Sequence, residues 1–213
     1  MKLSEIVFEQ VETVPGWLLK SKCECFDDVY SSLYPVVTVT PPLAVEIGVW
    51  FGKSAIAQAL MIKALRIDMQ LVAIDPWSAD AALDGTNDPA NDRWWQAQNF
   101  EEAKSYFEDE LKLRGLRRFV NVWRDKAENC VNEFEDERID ILHIDGNHSP
   151  EQSMADVMLW LPKVKKGGYI ILDDTNWPSL SDAVRYMGDN CVLMKEVSEE
   201  GQGFALYRKS KAW

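Results

Sequence analysis

Positive charge is what this chain has least of: 23 lysines and arginines stand against 35 aspartates and glutamates, a formal net charge of -12. A surface of that sign repels a phosphate backbone, so no nucleic-acid partner is expected. The two locally basic stretches, RGLRR (114–118) and KVKK (163–166), lack the interleaved aromatics of a single-strand platform and read as solvated helix ends. Long apolar runs are missing as well. Stretches such as AIAQALMI fall far short of the roughly 20 residues that a membrane span requires, so no membrane association is expected. The opening MKLSEIVFEQ mixes charge and apolarity too early for a secretory signal, which points to the cytoplasm. Cysteine is sparse: Cys23-Glu24-Cys25 has no second close pair with which to complete a zinc tetrad, so Cys23, Cys25, Cys130 and Cys191 read as reduced structural thiols. Internal repeats and low-complexity tracts are absent.

What is present is an apolar fraction of 46% in 213 residues, enough to bury one core of ordinary size. From residue 43 onward, short β-rich runs alternate with helical patterns. Strands are expected at 43–49, 71–75, 119–123, 139–145 and 169–174, and helices at 54–67, within 92–114, at 126–137 and at 149–161. Ser149 reads as the N-cap of the last of these, with Pro150 in the first helical position. Helical crossovers between buried strands imply a parallel sheet. CVLMKEV (191–197) and FALYRK (204–209), joined by a short glycine-containing loop, read as an antiparallel hairpin on its edge. The expected fold is therefore an α/β, Rossmann-like, doubly wound sheet over residues 42–213. Residues 1–41 form a helical extension, with Pro41-Pro42 as the break, able to act as a lid or an oligomer contact.

The first strand runs into Glu46-Ile47-Gly48-Val49-Trp50-Phe51-Gly52-Lys53-Ser54, a glycine-rich strand-to-helix turn that presents backbone amides to a ligand. A dinucleotide fingerprint needs a second glycine where this chain has Trp50, so a pyrophosphate would meet a side chain. Gly48 and Gly52, four apart, suit instead a phosphate-free ligand whose amino-acid end lies along the turn, with Glu46 and Ser54 flanking it. Asp75 ends the second strand, where a carboxylate can take the two hydroxyls of a ribose. After the third strand Asp125 stands either as an acceptor for an adenine amine or as the cap of the following helix, two readings of equal weight.

The fourth and fifth strands end in Asp145-Gly146-Asn147-His148 and Asp173-Asp174-Thr175-Asn176, and adjacent parallel strands lie only about 4.8 Å apart. Three carboxylates then converge. At about 5 Å and an effective dielectric near 20, each like-charged pair costs on the order of 3 kcal/mol, so the cluster wants protons or a cation. An all-oxygen donor set of Asp145, Asp173 and Asp174 favours Mg2+, or Mn2+ or Ca2+, over zinc. His148, on the loop beside Asp145, can act as general base for a substrate hydroxyl. His143, inside the strand, reads as structural.

EIGVWFGKSA, AIDPWS and IDILHIDGNHSPEQSMADVMLWLPKVKKGGYIILDD, with the D-G-x-H step the sharpest, make residues 42–208 resemble the metal-dependent sugar and macrolide O-methyltransferases, the methyltransferase 24 branch of class I. The resemblance implies a seven-stranded sheet ordered 3-2-1-4-5-7-6, S-adenosylmethionine as cofactor, metal ligands at Asp145, Asp173 and Asp174, with Asp145 also near the cofactor, and a base at His148. It also implies a small-molecule acceptor. In such relatives the long segment 77–100 covers cofactor and acceptor; Trp77 reads as packed near the adenine, and Trp94 and Trp95 either line the acceptor pocket or seal the segment onto the body, two readings of equal weight. Lys126 departs from the family pattern, in which a small residue follows the aspartate. A non-catalytic S-adenosylmethionine-binding subunit, a nitrogen-methylating homologue or one that assists a hydroxylase are the alternatives, and self-association of the N-terminal segment is expected.

Overall fold

The computed structural model describes residues 1–33, 40–86, 88–199 and 201–210; the parts of the N-terminal extension at 34–39, of the 77–100 segment at 87 and of the hairpin loop at 200 lie outside them. Two helices, α1 (Leu3–Val11) and α2 (Lys20–Ser32), precede the first strand. The alternation then runs β1 (Leu43–Ile47), α3 (Lys53–Leu65), β2 (Gln70–Ile74), α4 (Ala79–Ala82), α5 (Pro89–Gln96), α6 (Phe100–Leu113), β3 (Val120–Trp123), α7 (Ala127–Cys130), β4 (Ile139–Ile144), α8 (Pro150–Trp160), β5 (Val164–Asp173) and α9 (Ser181–Asn190), closing with β6 (Cys191–Glu199) and β7 (Gln202–Lys209).

The sheet order is β3-β2-β1-β4-β5-β7-β6, with β5–β7 and β6–β7 antiparallel and the other pairs parallel. That is the doubly wound arrangement expected from the sequence and the strand order implied by the resemblance. Period-two alternation sends successive residues of the central strands to opposite faces, so two cores form. Ala44, Ile141 and Ile171 pack with α1, α2, α3 and α6 on one face, while Val45, Leu142 and Ile170 pack with α8 and α9 on the other. The N-terminal helices are thus built into the same core as the central strands, with Val7, Val11, Phe26 and Tyr30 buried there.

Several elements differ from their sequence reading. The helix expected over 126–137 lasts one turn in α7 and a 3-10 turn at Val131–Glu133, because the acidic stretch from Glu135 to Glu137 has no apolar face to bury. The glycines Gly167 and Gly168, expected as a turn before β5, lie within the strand, where the register jumps from Ile139↔Val164 to Ile141↔Tyr169. The segment after Trp77 carries α4 and α5, the latter capped by Asp88, whose side chain accepts from the N–H groups of Ala90 and Asn91. α9 was not foreseen. Ser149 caps α8 as expected, accepting from Gln152 N–H at 3.3 Å. The four cysteines are buried and free. Among the described residues no helix is long and apolar enough to cross a membrane.

Candidate active site

The parallel strands β1, β2 and β4 end together at one edge of the sheet, beneath a cavity of about 1180 Å³ counting its open mouth. The turn after β1 forms its floor. Gly48 and Gly52 both hold positive φ, 81° and 82°, a region that side chains penalise. A Cβ on Gly52 would fall 2.0 Å from the Phe107 ring, so the turn can lie on α6 only without a side chain there. Trp50, between them, is also left-handed at φ 48°. What holds it is Asp75: its Oδ2 accepts from Val49 N–H at 2.7 Å and Trp50 N–H at 2.9 Å, and its Oδ1 from Trp77 N–H at 2.6 Å. Burial pushes the Asp75 carboxyl above its ordinary pKa, opposed by those three amides. Asp75, expected at a ribose, lines the cavity and at the same time braces the turn.

Other expected cofactor residues are placed differently. Glu46 faces the core, fully buried, because alternation along β1 turns it toward α3; it accepts from Ser54 Oγ and Gln58 Nε2, each at 2.5 Å. Ser54 reaches the cavity lining but spends its hydroxyl proton on Glu46. Trp77, expected near an adenine, is not among the residues that line the cavity. It is 1% exposed, stacked on Phe107 and donating from Nε1 to the Trp50 carbonyl at 2.8 Å, and so seals the turn from below. Asp125 is exposed and caps nothing: it accepts from Lys126 N–H and Asn129 Nδ2, both at 2.7 Å, but the N-cap of α7 is Lys126, which has no side-chain cap bond, and Lys126, Ala127 and Glu128 line the cavity where Asp125 does not.

Aromatic rings crowd the mouth. Trp17, from the N-terminal segment, stacks on Trp50 with centroids 5.3 Å apart, and Trp94 and Trp95 pack edge-on to Trp50 at 5.2 and 5.7 Å. Trp95 and Trp17 line the cavity; Trp94 supports them from outside. Residues Pro15 to Trp17 are therefore a wall of the site, which the sequence reading had left as a lid or a contact surface. Asp156 of α8 was missed altogether. It lines the cavity at 7% exposure, and burial together with the Glu128 charge raises its pKa to about 7.

The three aspartates expected to share a metal do not act as one set. His143 sits level with Glu46 and with Ile171 in the sheet register, and Asp173 follows two residues on, so Glu46, His143 and Asp173 share the face covered by α2. Onto that face α2 lays Lys22 and Phe26, one turn apart. Phe26 meets the His143 ring edge-on, and the Lys22 ammonium, 2% exposed, donates to Asp173 Oδ2. Burial would lower the Lys22 pKa, but the Asp173 and Asp145 charges outweigh it and hold the amine protonated. The Asp173 carboxyl is held far below its ordinary range, the Lys22 charge overcoming burial. His143 Nδ1 and Nε2 lie 3.7 Å from Glu46 and 3.9 Å from Asp173, beyond hydrogen-bond reach but close enough for charge; against burial, those carboxylates raise its pKa to about 9. Asp145 is pushed the other way, well above the ordinary carboxyl value, by burial and by Asp173.

Asp174 turns away from Asp173. At φ 52° it directs Oδ2 to His148 Nε2 at 2.8 Å, and His148 Nδ1 has no hydrogen-bond partner. Both residues line the cavity with Asp145. A group of donor atoms within 4.8 Å of one another forms from Asp145, His148 and Asp174, and another from His143, Asp145 and Asp173. Each contains an imidazole, which suits borderline transition metals more than Mg2+. The all-carboxylate set expected for Mg2+ is not among them, and its Asp173 is already occupied by an ammonium. The residues present do not fit that ion.

A cavity at the carboxyl ends of a 3-2-1-4-5-7-6 sheet, floored by a glycine turn, defines a class I methyltransferase domain of the S-adenosylmethionine-dependent kind. A family model described as a methyltransferase domain, methyltransferase 24, matches residues 45–175, and the chain belongs to that family. The curated protein y4gI of Sinorhizobium fredii, itself uncharacterised, is 22% identical over 149 residues, which are 67% of this chain and 14% of that protein, so the chain spans a small part of the relative's length. Among solved structures, the O-methyltransferase NovP superposes with a TM-score of 0.66 at 19% identity, covering 99% of this chain and 96% of NovP. The SAH-bound methyltransferase PaMTH1 of Podospora anserina gives 0.63 at 13%, covering 99% and 89%. The O-methyltransferase TomG of Streptomyces achromogenes, involved in tomaymycin synthesis and solved with SAM, gives 0.59 at 14%, covering 99% and 90%. At these identities the likeness is one of fold.

Proposed function

We propose that the protein is an S-adenosylmethionine-dependent O-methyltransferase that acts on a hydroxyl of a small molecule, a sugar or natural product, with His148 as general base. One observation carries this reading: His148, in the cavity lining, has Nε2 paired with Asp174, while its Nδ1 is enclosed and has no hydrogen-bond partner. The pairing favours Nε2 as the protonated nitrogen and leaves the lone pair on Nδ1, which is enclosed in this structure and would have to be uncovered for an acceptor hydroxyl to reach it; Asp174 would stabilise the imidazolium that results. The bound cofactor supplies an electrophilic sulfonium methyl.

The Gly48–Gly52 turn would hold the amino-acid end of the cofactor, since it lines the cavity and its glycines let it pack closely on Asp145 and Phe107. Ala127, Glu128 and Asp156 would take the nucleoside end. The aromatic wall of Trp17, Trp50 and Trp95 would offer flat faces to a sugar or aryl acceptor. NovP and TomG, both O-methyltransferases by name, support oxygen as the atom methylated. No step of this reading passes through a metal ion.

The test is calorimetric and then kinetic. S-adenosylhomocysteine is expected to bind with micromolar affinity and NAD not at all; binding of NAD alone overturns the reading. With an acceptor in hand, His148→Ala is expected to cut transfer by at least about 100-fold with S-adenosylhomocysteine affinity unchanged. A loss under tenfold would remove the base role.

A further inference from the structure

Lys22 is an unusual residue for its place. It stands in the first turn of α2, which contains no acidic residue, at the end where the helix dipole disfavours a cation. It is also buried, where an ammonium is costly unless paired. Both costs are met at one point. Asp145, Asp173 and Asp174 bring three carboxylates to the ends of β4 and β5, and all three raise the affinity of Lys22 for its proton. The ammonium donates directly to Asp173. It is backed by the Phe204 ring 5.9 Å away, on the residue that pairs with Asp173 across β5 and β7.

We propose that Lys22 is an internal cation that takes the place of a divalent ion at this carboxylate cluster, so that the site excludes Mg2+ and Mn2+ and methyl transfer does not depend on them. Lys22 touches neither cavity nor acceptor; it acts as a positioning residue. By neutralising Asp173 it leaves Asp174 free to orient His148, where a metal would draw Asp145, Asp173 and Asp174 onto itself. The consequence for methyl transfer rests on the function proposed above, but the occupancy of the cluster does not.

Mn2+ is the probe. Titrated into the wild-type protein and followed by the loss of its free-ion paramagnetic resonance signal, it is expected to show no stoichiometric site below millimolar concentration. Lys22→Met and the nearly isosteric Lys22→Gln, which free the carboxylates, are expected to gain one Mn2+ site at least tenfold tighter, lost again on adding Asp173→Asn. One micromolar Mn2+ site in the wild type overturns the proposal, as does the absence of any gain in folded Lys22 variants. Should neither variant fold, the wild-type titration decides alone: silence supports the internal cation and a stoichiometric site refutes it. S-adenosylhomocysteine binding, measured on the same samples, reports separately on the proposed function.

Discussion

Gly48 lies so close to Asp145 that a Cβ built on the glycine would stand 1.9 Å from the aspartate's carbonyl oxygen. Neither side can yield. Gly48 N–H is bonded to Ile74 O at 3.0 Å, and Asp145 N–H to Ile47 O at 2.8 Å, so the turn and the end of β4 are each pinned to a central strand. Gly48→Ala adds the backbone strain of a side chain at φ 81°, on the order of 1–3 kcal/mol, to a clash with backbone. The expected outcome is a lower melting temperature and at least a tenfold loss of S-adenosylhomocysteine affinity by calorimetry. Unaltered affinity would show that the turn is not the cofactor cradle.

Asp75 makes a separable prediction. Its two carboxylate oxygens serve three backbone N–H groups, of Val49, Trp50 and Trp77, and an amide can serve only part of them before presenting its own N–H to a donor. Asp75→Asn should therefore destabilise the fold by about 1–3 kcal/mol in urea melts, as expected when buried donors lose their acceptor. Were ribose binding its main task, stability would hold and ligand affinity alone would fall.

These two residues also mark how far the sequence could be read. Gly48 and Gly52 were legible because a backbone that must be bare leaves glycine as its trace; the parallel sheet was legible from buried strands separated by helices, but its strand order only from the resemblance to the methyltransferase 24 branch. Glu46 and Trp77 were misplaced toward the ligand. Glu46 lies beside the turn in sequence and Trp77 just past the end of β2, yet alternation in β1 turns Glu46 into the core, and Trp77, at a left-handed φ of 44°, is buried under the loop. α9 escaped notice although Ala183 and Met187, four apart, both face the core. Lys22 was beyond local reading. Its partner is 151 positions away, and the need for a cation was visible where its source was not.

Asp174 should separate orientation from folding. The residue sits at φ 52°, a conformation that asparagine adopts at least as easily as aspartate, so Asp174→Asn is expected to fold and to bind S-adenosylhomocysteine normally. It no longer stabilises an imidazolium on His148, 2.8 Å away. Transfer is expected to fall about 10- to 100-fold, less than for His148→Ala because the base itself remains. An equal loss of ligand affinity and rate would instead place Asp174 in cofactor binding.

Asp156 gives the fold a pH dependence with a definite sign. Burial and the Glu128 charge raise its carboxyl to about 7 in the folded protein, against roughly 3.9 in an unfolded chain. Between those values the folded state binds the additional proton, so the contribution of Asp156 to stability is greatest below pH 4 and declines until the folded carboxyl has ionised above pH 7. Asp156→Asn keeps the shape and removes the titration. Its melting temperature should exceed that of the wild type at pH 8, by about 2–4 °C for each kcal/mol recovered, with the gap closing as the pH is lowered toward 4. A difference that is the same at pH 4, 6 and 8 would mean that Asp156 titrates as an ordinary carboxyl, and that the cavity wall beside Gly146 is wetter than its burial implies.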